Sequence, residues 1–496
     1  MKLEFLKKPI EYLRPVLREE RMIEETAEAI IPDSCPDAQE VLHCSGLAFL
    51  RGKDLSDGML SVSAGVSAMA LCQIEDRETP EVVEVYIPMS LKLENDALRG
   101  GQVCRVEVRL RRLDGHLVNP RKVMVRATVA VCVWVYDEAR EEHLTETAAA
   151  GVQVLKKTAP IRCLNAMGEK NYTVEDSVRM TPEGTGGVLA GCQIKLRHTD
   201  ARLTGTRAVL KGEAELSVLY LEENGRAKTA SAQVPFSQYI DLGNGLETDE
   251  LRLISILTGA DVELGSDGGS LNVTLQINTT AEVWGKAEIE YLGDMYSLTG
   301  QVIPETEQRV YDSLVDRQMF APVGHGLLEG VMGRPLFVTA ISGEVTSQRS
   351  GEMVTLTLPV TAQVLYEGEE GQLRGAVCRV ELTASTQAAE NCRFEATGED
   401  ITAIGSSGAG VDVKVSGNLV VNTFGRTAFT EIVGGELQEE ARSISGPGLI
   451  IRRPKTGESL WDMAKCYRTT TDAIAMANGL SGDAVPEKML LIPRSR

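Results

Sequence analysis

The chain has no Cys-x-x-Cys pair among its ten cysteines and no His-Glu-x-x-His arrangement among its five histidines, so the common zinc-ligand spacings are absent. It also has no stretch approaching the roughly 20 apolar residues that a membrane-spanning helix requires. The first residues, Met1-Lys2-Leu3-Glu4-Phe5-Leu6-Lys7-Lys8, lack the uninterrupted apolar region of a secretory signal. Positive charge is scarce. Lys and Arg number 51 against 71 Asp and Glu, a net of −20, which argues against generic nucleic-acid binding. The run Gly184-Thr185-Gly186-Gly187 has no following Lys-Ser/Thr and makes no phosphate loop. No nucleophile–base pair stands out. These absences describe a cytoplasmic, reduced chain without metal or cofactor that is not an enzyme. Cys72 and Cys132 sit in apolar runs, as buried thiols do.

What the chain does have is alternation. A length of 496 residues predicts about three or four domains, and strand patterning dominates from about residue 40 to 435. Val62, Ala64, Val66, Ala68, Ala70 and Cys72 alternate with small polar residues. So do Ala214, Leu216, Val218 and Tyr220, and then Val354, Leu356, Leu358, Val360, Ala362 and Val364. Period-2 patterning of this length marks strands with one buried face. Each run ends in a polar turn, at Glu75-Asp76-Arg77, Glu222-Glu223-Asn224-Gly225 and Glu367-Gly368-Glu369-Glu370-Gly371, which predicts hairpins. Pro88 and Pro235 recur in the strands that follow and belong on an edge or at a bulge, because proline cannot donate to a ladder. Gln73, Tyr220 and Tyr366 fall about 147 residues apart, a domain-sized period. Pro182-Glu183 through Leu189 pairs in the same way with Pro36-Asp37 through Leu42. A later strand leads in each copy to an aromatic, matched as Trp134, Trp284 and Phe424.

The predicted organisation is a charged amphipathic arm over 1–30, then β repeats at 31–150, 165–300 and 315–435. A linker at 436–447 and a small module at 448–496 follow. The fold class is mainly β, three sandwich-like repeat domains and a small α+β unit. Arg105, Arg109 and Arg111 share one parity of a strand and read as a solvated sheet face, with Arg112, Arg121 and Lys122 nearby; the alternative is a site for an acidic partner. Glu138, Glu141 and Glu142 read as a solvated loop leaving the first repeat, and Gly405 to Gly410 as a turn.

The last 48 residues have a different texture. Leu449-Ile450-Ile451 is a short strand, and Ser459 with Asp462 makes a capping-box pattern ahead of a helix. Leu460, Ala464 and Tyr467 form its apolar face. Thr470 or Thr471 caps a second helix whose Ile474 and Ala477 face inward, Gly479 stops it, and Met489 to Pro493 is a closing strand. From Leu449 on, eight Lys and Arg stand against five Asp and Glu, a basic tip on an acidic body.

This strand–helix–helix–strand order resembles a LysM domain, a family of small modules that bind N-acetylglucosamine polymers. The resemblance implies a groove between two loops, formed here by Gly457, Glu458, Ser459 and Leu460, beside Trp461, and by Asn478, Gly479, Leu480 and Ser481. Glu487-Lys488 stands where the family often has Gly-Gln. Three β repeats followed by such a module resemble the SipL-like spore-coat morphogenetic family, which has SPOCS repeats and a C-terminal LysM domain. That resemblance implies an assembly adaptor in the mother cell, at the forespore surface. Its implied partners are the SpoIVA-like ATPase of the coat's basement layer and other coat proteins. The alternative is a protein binding peptidoglycan at the cortex or cell wall; an accessory to a wall hydrolase is a third, weaker reading.

Overall fold

The computed structural model describes residues 1–181, 187–243, 249–387, 392–408, 410–439, 448–480 and 488–493. The body consists of three units with one strand plan. The first holds β1 (Phe5–Ile30), β2 (Ala38–Ser56), β3 (Met59–Ile74), β4 (Glu81–Glu94), β5 (Val103–Asn119) and β6 (Lys122–Thr147). The second repeats it as β7 (Val152–Arg179), β8 (Val188–Thr204), β9 (Arg207–Leu221), β10 (Ala227–Asp241), β11 (Glu250–Leu264) and β12 (Ser270–Ser297). The third begins with β13 (Gly300–Phe320), β14 (Val323–Leu328), β15 (Arg334–Ser342) and β16 (Thr346–Ser350). It continues with β17 (Met353–Glu367), β18 (Leu373–Gln387), β19 (Arg393–Ser407) and β20 (Val411–Glu439). Last come β21 (Leu449–Arg452), α1 (Leu460–Tyr467), α2 (Thr471–Asn478) and β22 (Leu490–Pro493).

Within a unit, three middle strands form an antiparallel meander, β2-β3-β4 in the first and β8-β9-β10 in the second. The closing hairpin pairs back to a long opening strand: β6 with β1, β12 with β7, β20 with β13. The alternating residues of β3, β9 and β17 fill the space between the two sheets. All three predicted hairpins form, as β3–β4, β9–β10 and β17–β18. Pro88 and Pro235 lie in β4 and β10, the edge strands of their sheets, where a missing N–H breaks no ladder. In the third unit Pro359 sits in the central strand β17, and the neighbouring strand is interrupted opposite it. Gly343 N–H instead reaches the Pro359 carbonyl, at 2.7 Å.

The structure departs from the expected organisation in four places. Residues 5–30, read as an arm, are a strand paired with β6 along nearly its whole length. Residues 152–179 and 300–320 likewise open the second and third units, so each unit reaches beyond the limits drawn from alternation. The aromatic match also shifts. Counted from Val123, Leu271 and Val411 at the hairpin ends, Tyr136 is the residue equivalent to Trp284 and Phe424, whereas Trp134 corresponds to Glu282 and Asn422. Glu141 is in β6 and accepts hydrogen bonds from Tyr12 (3.0 Å) and Tyr311 (2.5 Å), so it joins the first and third units and is no loop residue.

The arginine face is the largest correction. Arg105 is only 3% exposed, and its guanidinium lies over the Trp134 ring, 3.7 Å from the centroid. A sheet face polar to its own unit can still be buried if another unit covers it, and here one does. Arg105 meets Glu282 of the second unit at 3.0 Å, and Arg252 flanks the same carboxylate at 3.7 Å. Two of these atoms, Arg105 Nη1 and Glu282 Oε1, form no directed hydrogen bond, so charge holds them more than geometry does. The other seams repeat the arrangement. Glu250 of the second unit lies between Arg162 and Arg317 of the third; Glu395 of the third lies between Arg393 and Arg18 of the first. Three arginine–glutamate–arginine groups thus lie at three seams, and the Glu282 and Glu395 groups line a cavity of about 250 Å³. Glu107 adds a further buried carboxylate. Burial pushes its pKa up, but Arg109, Arg105 and Arg252 outweigh that and hold it at about 2.

An apolar junction lies between the meanders. Leu42 and Leu71, Ala190 and Leu219, Phe337 and Leu365 come from the three units in turn. His43 packs edge-on to Phe337, with centroids 5.4 Å apart, and burial lowers its pKa to about 4. The ring of units closes where Lys2 bridges Glu436 and Leu3 N–H donates to Gly435 O at 3.0 Å.

Two outcomes follow for stability. Glu282→Gln leaves Arg105 and Arg252 without their shared counter-charge and should cost about 3–5 kcal/mol. Urea unfolding of the full chain measures this, with Glu288→Gln on an exposed site as a near-neutral control. His43 binds a proton at 6.5 when unfolded but only near 4 when folded. Its contribution is therefore complete above pH 6.5 and is lost as pH falls through 4, a loss of about 3 kcal/mol. His43→Phe should flatten that part of the stability–pH curve.

Candidate functional site

The C-terminal module has the expected element order, and β21 pairs antiparallel with β22 across two short helices. Local chemistry sets the helix limits. Ser459 Oγ accepts from Asp462 N–H while the Asp462 carboxylate accepts from Ser459 N–H, which satisfies free amides in the first turn of α1. Thr470 caps α2 through Ala473 N–H. Gly479 ends that helix at φ +61°, a left-handed conformation that costs glycine little. Leu460, Met463, Ala464, Ile474, Leu490 and Ile492 make the core.

Most of the residues assigned to the groove are engaged inside the module. Leu460 is core. The Glu458 carboxylate accepts from Arg452 at 2.7 Å and from Lys455 N–H at 2.8 Å, which fixes the loop after β21. The Asn478 amide donates to Ile474 O and Leu491 O and accepts from Leu491 N–H, all at 2.7 Å. Leu480 is half-buried, Gly457 and Ser459 are exposed, and Gly479 is exposed. Ser481 and Glu487 lie outside the described residues, as do Pro182, Glu183, Gly184, Gly186 and the linker residues 440–447.

Trp461 faces the second unit. Its Nε1–H donates to Asp294 in β12 at 2.8 Å, and its ring meets Tyr296 edge-on with centroids 4.8 Å apart. Lys465 reaches both oxygens of the same carboxylate at 2.7 Å. The Tyr296 hydroxyl donates to Thr469 O at 2.6 Å, and the ring completes the module's core. Burial, with the Asp294 carboxylate beside it, pushes Tyr296 up to about 12, so the hydroxyl stays a donor. The module is therefore seated on the second unit through α1. Asp294 and Tyr296 carried no sequence signal beyond an aromatic-rich stretch, Tyr291 to Tyr296, interrupted by Gly293 at a β-bulge.

Asp294→Ala removes the Trp461 hydrogen bond, worth about 1 kcal/mol, and a half-exposed ion pair to Lys465 worth up to about 1 kcal/mol more. The module should open about tenfold more often. Limited proteolysis or amide exchange should show that gain in residues 449–493 while the body's protection is unchanged.

Comparison with known proteins assigns one segment. Residues 189–263 match the family model described as SipL, SPOCS domain, a span running from β8 into β11. No curated protein and no solved structure matches the chain. The second unit of the body thus carries a SipL-type SPOCS domain, the family resemblance first read from the repeats.

Proposed function

We propose that this chain is a non-enzymatic assembly adaptor of the spore coat, joining coat proteins through its β units and the basement-layer ATPase, SpoIVA-like, through its C-terminal module. The observation that carries the reading is the SPOCS match within a body of three like units. The seated module supports it: a body with ion pairs across its seams and a small unit anchored on it make a platform for two sets of contacts. Residence at the forespore surface of the mother cell belongs to the same reading. The glycan alternative is the weaker one, because the side chains of Leu460, Asn478 and Glu458 are committed to the core, to β22 and to Arg452. Among the described residues, few polar side chains of the two loops remain free of such contacts.

The test is binding by the full chain to purified SpoIVA-like ATPase and, in parallel, to soluble peptidoglycan fragments. Binding to the ATPase at micromolar affinity or better, on the order of 8 kcal/mol, is expected. It should be lost from a chain ending at Glu439 whose circular dichroism still shows β structure. The cut belongs after Glu439 because Leu437 N–H donates to Met1 O. Binding to glycan alone would replace the adaptor reading with the cell-wall one.

A further inference from the structure

The two edges of the module's small sheet are not alike. Leu491 N–H and C=O both bond the Asn478 side chain, so β22 is plugged along its outer edge. Since those groups point away from β21, Ile451–Leu491 is the non-hydrogen-bonded kind of antiparallel pair. The N–H and C=O of Ile451 therefore point outward as well, along the outer edge of β21, and among the described residues β21 pairs with β22 alone.

The side chains agree with the backbone. Ile450, Leu490 and Ile492 turn toward the helices. By alternation, Leu449, Ile451 and Met489 share the opposite face and are 52%, 65% and 64% exposed. By the same alternation Arg453 stands at one end of this face, exposed, and Lys488 next to Met489 is exposed as well. The body guards two of its edges with Pro88 and Pro235, whereas β21 contains no proline. The seat on Asp294 uses α1, so it leaves this side of the module uncovered by the second unit's β12 contacts.

We infer that β21 is a strand-addition site: an extended partner segment, apolar at alternate positions and acidic at its flanks, pairs with Leu449–Arg452 and lays its apolar residues beside Leu449, Ile451 and Met489. Backbone bonds would supply affinity and the exposed apolar row would set register. The basic end selects an acidic flank. It also disfavours a second copy of β21, which would bring Arg452 and Arg453 of two chains onto one short ladder. The inference rests on the adaptor reading and names the face through which the module acts.

The experiment uses the full chain and the purified SpoIVA-like ATPase as probe. Ile451→Pro deletes the outward N–H but spares the β21–β22 bonds, which Ile451 does not make. Leu449→Lys with Ile451→Lys removes the apolar row. Both variants should weaken ATPase binding by about tenfold or more, with circular dichroism and Trp461 fluorescence unchanged. Wild-type binding that both variants retain within about twofold would overturn the strand-addition site and leave the adaptor reading standing. No binding by the wild type would overturn both. A wild-type dimer that Ile451→Pro dissociates, with ATPase binding unaffected, would overturn the inference in favour of a second copy.

Discussion

Three shared carboxylates hold this body together. Glu282, Glu250 and Glu395 each lie between an arginine of their own unit and an arginine of a neighbour. Charges of this kind are expensive to bury, and a pair rarely gains more than an apolar contact would. Their effect here is selective. At the Arg105–Glu282 seam, where both groups are buried, a wrong neighbour would leave a charge buried and unpaired, so that contact penalises wrong docking more than it rewards right docking. The leucine junction beneath the meanders contributes non-directional burial, and the charged seams supply orientation.

The same logic extends to the module. Asp294 receives Trp461 and Lys465 together, and Tyr296 both fills the module's core and binds Thr469. A unit of under 50 residues has little core of its own; borrowing a tyrosine from the body enlarges it. The module is thereby held in one orientation, with α1 inward and the small sheet turned the other way.

Much of this was legible in the sequence, for local reasons. Alternation revealed the meanders, turn residues revealed the hairpins, and the serine–aspartate box revealed α1. The largest misreadings involve partners distant along the chain. β1 looked like an arm because its ladder partner lies far along the chain, Ile30 pairing with Lys122 and Phe5 with Thr147, and because it is rich in charged residues. Arg105 looked solvated because strand parity reports only on a unit's own core. One clue was available: Val129 to Tyr136 is apolar on both parities, which marks a strand covered on both faces. In the second unit that clue vanishes, since the equivalent stretch holds buried Asn278, Thr279, Thr280 and Glu282. The role of Asp294 left no local trace, because docking of two remote segments follows from tertiary geometry alone.

The pairing of Leu3 with Gly435 gives the molecule a timetable. The ribosome must travel past residue 435 before the first unit meets its last neighbour, roughly half a minute to a minute and a half at ordinary elongation rates of about 5–20 residues per second. The first unit's Arg105 and Trp134 face water only until the second unit has emerged, whereas its Arg18 waits for Glu395 of the third. A charged face waits in water at little risk, where an apolar one would have aggregated. The same charges that cost free energy to bury at the seams thus leave the unfinished units with a hydrated rather than an apolar seam.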